Sequence, residues 1–134
     1  MKTLLISCLS FLLTLCLHAD TSGATWEDFT HEQVVKHLET NLSSEQIVVR
    51  VNGLVCESCA IVLRKKVSKL DAVDTKKLKK GLSMDVYKML LYVALKEGKS
   101  PAPAELRKAI EDAGYEGTLI LYQEQNGKIT SQNL

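Results

Sequence analysis

Between residues 46 and 122 the apolar positions switch between a period of two and a period of three to four, in the order strand, helix, strand, strand, helix, strand. An all-helical or all-β chain does not carry that order. Ile47, Val49 and Val51 alternate with Val48 and Arg50, and the β-branched density predicts a strand from Gln46 closed by Asn52-Gly53-Leu54-Val55. Over residues 59–70 the spacing lengthens. Ala60, Leu63, Val67 and Leu70 predict a helix with Arg64, Lys65, Lys66 and Lys69 on its wet side. Residues 81–86 and 89–95 read as the second and third strands, joined tightly by Tyr87-Lys88, neither of them a favoured hairpin-turn residue. Ser100-Pro101-Ala102-Pro103 marks a helix start, since proline is tolerated where the amide is unpaired anyway. Leu106, Ala109, Ile110 and Ala113 give that helix its inward stripe, and Gly114 stops it; residues 118–122 form the last strand.

A further helix precedes this block, over residues 31–40. Thr30 reads as its N-cap, Gln33 completes a capping box, Phe29 and Val34 have the spacing of a hydrophobic staple, and Asn41 suits a left-handed stop. Val34, Val35 and Leu38 share one side. The fold class expected is α+β, a ferredoxin-like βαββαβ sandwich with one extra N-terminal helix. Residues 123–134 are polar and are expected to fray as a tail.

Residues 1–19 read as an address. Lys2 precedes an apolar run over residues 4–17, too short for a bilayer, which needs about 20 residues. The run has the length of a secretory signal core, and Leu17-His18-Ala19 offers a cleavage site near Ala19. The expectation is therefore a periplasmic or secreted protein with no membrane span in its mature chain. Residues 20–45 form a leader and the first helix, residues 46–122 the domain proper. Cleavage at Ala19 shortens 134 residues to 115, takes the formal charge from +1 to 0, and removes Cys8 and Cys16. A neutral chain has no generic attraction for nucleic acid. An apolar fraction of 46% and a charged fraction of 25% are ordinary globular values, which excludes a disordered chain.

Cys56-Glu57-Ser58-Cys59 then stands alone, between the first strand and the following helix. A helix start favours thiolate over thiol. Two sulfurs at this spacing can hold one ion or bond each other. Two soft thiolates suit Cu(I) first and Hg(II) next, whereas Zn(II) wants four ligands and no third cysteine remains. A redox-active pair and a structural disulfide are the alternatives. Against a thioredoxin-type pair, no Trp precedes Cys56 and no Pro lies inside the pair.

The run Gly53-Leu54-Val55-Cys56-Glu57-Ser58-Cys59 resembles the Gly-Met-Thr-Cys-x-x-Cys loop of the heavy-metal-associated domain family. Glu105-Leu106-Arg107-Lys108-Ala109-Ile110-Glu111-Asp112-Ala113-Gly114-Tyr115-Glu116 is similar to that family's second helix and following loop. With an export signal, the chain is most like the periplasmic mercury-binding and copper-chaperone branch. The resemblance implies a non-enzymatic metal carrier with Cys56 and Cys59 as ligands, Gly53 permitting the turn, Leu54 filling the pocket of the family's Met, and Tyr115 near the sulfurs. It implies a metal transporter or another metal-binding domain as partner, and a monomer. Val55 departs from the family's Thr, and residues 71–81 are longer than its link.

Eight basic residues lie between Arg64 and Lys80, interrupted by Asp71 and Asp74 alone among acids. A solvated face is the plain reading. The sharper one makes Lys65, Lys66, Lys76 and Lys77 a docking surface for an acidic partner, where charge speeds encounter. Trp26 and Phe29 are expected to pack on the domain. His31 and His37, six apart, do not share a helical face.

Overall fold

Strand β1, Gln46–Asn52, buries Ile47, Val48 and Val49 in succession and then Val51. Successive strand residues face opposite ways, so three consecutive buried residues mean that both faces of β1 are covered. The protein is described by a computed structural model that covers residues 30–56, 58 and 60–134. The expected signal segment, Trp26, Phe29 and the staple expected with Val34 lie outside the described residues.

Eight elements follow in the order α1 (His31–Asn41), β1, α2 (Ile61–Val67), β2 (Leu82–Asp85), β3 (Leu90–Ala94), α3 (Pro103–Glu111), β4 (Glu116–Gln123) and β5 (Ile129–Asn133). The fold is mixed α and β, with three helices and one five-stranded antiparallel sheet among the described residues. The sheet order is β2-β3-β1-β4-β5. Val49 and Val51 face a core with Leu63 and Val67 of α2 and Leu106 and Ile110 of α3. Val48, Leu90 and Leu121 face the other way, onto Val34, Leu38 and Leu42 of α1 and its connection. The sheet therefore lies between two helical layers, and the first helix supplies one of them.

Local chemistry explains the element ends. In α1 the Thr30 hydroxyl accepts from the Gln33 amide at 3.4 Å, and Gln33 returns a bond to the Thr30 amide at 3.1 Å, as the capping box requires. Asn41 does not adopt the left-handed stop. It stays helical, its side chain donates to the His37 carbonyl at 2.8 Å, and extended Leu42 ends the helix. Helix α2 is shorter than residues 59–70. Ala60 stands at its N-cap with no side-chain oxygen to offer, and beyond Val67 the chain continues in tight turns. Gly114, at φ +85°, terminates α3 as expected.

The largest difference is at residues 123–134, which do not fray. Ile129–Asn133 pairs with β4 in register from Gln123↔Ile129 to Leu119↔Asn133. Asn126-Gly127 makes the turn. The Asn126 side chain accepts from the Lys128 amide at 2.8 Å, and Gly127 takes φ +84°. Leu134 is buried over Gly117, where any added Cβ would strike its Cδ2 and come within 3.0 Å of Ile110 Cδ1.

Candidate functional site

The loop after β1 is held at its root by Gly53 and Leu54. Gly53 adopts φ +82°, a left-handed conformation that costs other residues roughly 1–2 kcal/mol. Leu54 is 1% exposed and belongs to the core between the sheet and α2–α3. Tyr115 packs from the loop after α3: a Cβ added to Gly53 would lie 3.9 Å from Tyr115 Cδ1. Asn52 completes the attachment by donating to the Glu116 carboxylate at 3.0 Å. Three residues singled out in the sequence, Gly53, Leu54 and Tyr115, are thus brought together beneath the cysteine loop.

Cys56 is half-buried on this base and is disulfide-bonded. The chain's other cysteines, Cys59 among them, lie outside the described residues, as does Glu57. The Ser58 hydroxyl stands 3.4 Å from Cys56 Sγ. A disulfide sulfur carries no proton, so Ser58 is the donor. Because α2 opens at Ile61, Cys56 sits five positions ahead of the helix. The dipole effect fades within the first turn, so the helix start supports a Cys56 thiolate less than its sequence position promised.

Sequence reasoning missed the apolar surroundings. Val55, next to Cys56, is 74% exposed, and Tyr87, in the β2–β3 turn, is 78% exposed. With Leu54, Val86 and Met89 they line an open groove of about 310 Å³ beside the loop. Ile61 and Val62, in the first turn of α2, are exposed as well. The signal was present in Tyr87, an aromatic where a hairpin turn prefers Asn, Asp or Gly.

That turn is fixed by Asp85, whose carboxylate accepts from the Lys88 amide at 3.1 Å and from Lys88 Nζ at 2.6 Å. Burial alone would raise the Asp85 carboxyl, but the bonds from Lys88 outweigh it and hold it below the usual aspartate range. Folding therefore favours the charged form. Its contribution is full above the ordinary range and fades as acid protonates the folded carboxyl. Asp85→Asn is expected to cost about 1 kcal/mol at neutral pH. In denaturant unfolding, the gap between variant and parent should close below about pH 4.

The lysines fall elsewhere. Lys65 and Lys66 lie along α2. Lys76 and Lys77 lie at the opposite end of the sheet from Cys56, where β1 begins. Lys77 Nζ is bonded to Glu45, and that bond raises the affinity of its ammonium for its proton. The structure does not bring these two lysines to the cysteine loop. His31 is exposed and His37 half-exposed, on a helix that packs against the other sheet face.

Among the described residues no three His, Cys, Asp or Glu side chains cluster as metal ligands, and no helix is long and apolar enough to cross a membrane. No family model matches the chain, and no curated protein matches it either.

Proposed function

We propose that this chain is an exported, non-enzymatic carrier of a soft metal ion, Cu(I) before Hg(II) and Zn(II) last. The ion is held between the thiolates of Cys56 and Cys59 and passed by ligand exchange to a metal transporter or another metal-binding domain. The observation that carries this reading is the setting of Cys56. It is half-buried in a loop whose turn needs Gly53, whose root Leu54 is in the core, and against whose base Tyr115 packs. A rigid base with an apolar flank suits a two-coordinate soft ion, which asks for sulfur and gains from exclusion of water. The resemblance of residues 53–59 and 105–116 to the heavy-metal-associated domain points the same way. The ferredoxin-like reading of the fold is supported by the order β1-α2-β2-β3-α3-β4 and by α2 and α3 sharing one sheet face. Helix α1 and strand β5 are extra to it. Export through a signal cleaved near Ala19 and a monomeric state complete the proposal.

A second reading follows from the disulfide at Cys56. The same pair would then exchange electrons with a substrate thiol or disulfide. Titration of the reduced protein with Cu(I) against a competing chelator separates the two. One-to-one binding that vanishes on oxidation is the expected result. It should weaken as pH falls, because protons compete for the thiolates. No binding, together with reduction of insulin disulfides, would point to exchange. Neither activity would leave an interaction module with a structural disulfide.

A further inference from the structure

At the end of the sheet away from Cys56, residues 76–80 read Lys-Lys-Leu-Lys-Lys. Backbone bonds tie this segment into a tight loop: the Lys77 amide donates to Asp74 O at 3.2 Å, Gly81 to Lys77 O at 2.8 Å, and Lys79 to Leu82 O at 3.3 Å. Inside it Leu78 has φ 51° and Lys80 φ 57°, a region that bulky L-residues rarely enter. The core at this end is filled by Val73 and Leu82, at 1% and 0% exposure, while Leu78 is held out at 45%. Lys76, Lys79 and Lys80 are exposed around it. Lys77 is tied to Glu45, and Lys96 and Lys99, in the turn after β3, both contact Asp71.

A solvated lysine face needs no leucine at its tip, and a purely electrostatic contact with an acidic surface does not use one. An apolar tip ringed by exposed lysines matches a boundary that is anionic outside and hydrocarbon beneath. We propose that residues 76–80 are a docking loop for an anionic phospholipid surface, with the lysines on headgroups and Leu78 entering the acyl boundary. Docked this way, the chain holds the Cys56 loop away from the bilayer. The proposal stands on this loop and does not rest on the metal reading.

Co-sedimentation with vesicles tests it, using the full chain in every arm so that residues 1–19 contribute equally. Retention on phosphatidylglycerol–phosphatidylcholine vesicles should exceed that on pure phosphatidylcholine, and the excess should fall as salt is added. Leu78→Asn should lower the excess partition about tenfold, the worth of one buried leucine. Asparagine tolerates the left-handed conformation, so this variant keeps the fold, which thermal unfolding verifies. Lys76→Gln should lower it about fivefold. No excess on anionic vesicles would overturn the proposal. So would equal retention of parent and Leu78→Asn, which is the pattern of a purely electrostatic contact such as an acidic protein makes.

Discussion

Cys56→Ser is expected to lower the affinity of the reduced protein for Cu(I) by more than about 100-fold, since losing a direct ligand costs more than the 10- to 100-fold typical of outer-shell changes. A hydroxyl is a hard, weakly acidic donor and does not replace a thiolate for a soft ion. The fold should survive, because Cys56 sits in a loop and belongs to neither core cluster. Competition titration reads the affinity and thermal unfolding reads the fold. A variant that stays folded and still binds Cu(I) as tightly as the parent would sink the two-thiolate site.

Leu54→Ala is expected to cost about 2–5 kcal/mol of stability, the range for emptying a buried leucine site. For a domain of this size that lowers the unfolding midpoint by roughly 10 °C or more. Leu54→Met keeps the volume and should cost less than about 1.5 kcal/mol. The pair of variants distinguishes a packing role from a chemical one. Leu54 is 1% exposed and shares a core with Val51, Leu63 and Ile110. Shape, and not any property peculiar to leucine, should then decide the outcome. If alanine were tolerated as well as methionine, the base of the cysteine loop would not be anchored as described.

What could be read in advance was mostly local. Thr30 and Gln33 cap α1 because both partners lie within four residues of each other. Gly114 ends α3, and Gly53 turns the chain, because a left-handed backbone favours glycine wherever it occurs. Strand β5 escaped notice because only Ile129 and Leu134 are buried in that stretch, too few to make an alternating pattern. Its register is set by Asn126-Gly127 and by partners in β4. The approach of Tyr115 to Gly53 joins positions far apart in sequence, and no periodicity reports that. The lysine run follows the cysteine loop closely in sequence. Helix α2 nevertheless carries the chain away from that loop, so Lys77 finishes against Glu45, just before β1. Proximity along the chain was a poor guide to proximity in space.

With α1 on one side of the sheet and α2 and α3 on the other, the broad surfaces are spent on cohesion. The cysteine loop and the lysine loop sit at the two ends of β1, whose seven residues separate them by roughly 20 Å. The molecule is bipolar: sulfur and apolar groove at one pole, lysines and a leucine tip at the other. Either pole can be altered by mutation without repacking the other, so the two proposed activities would be free to diverge independently.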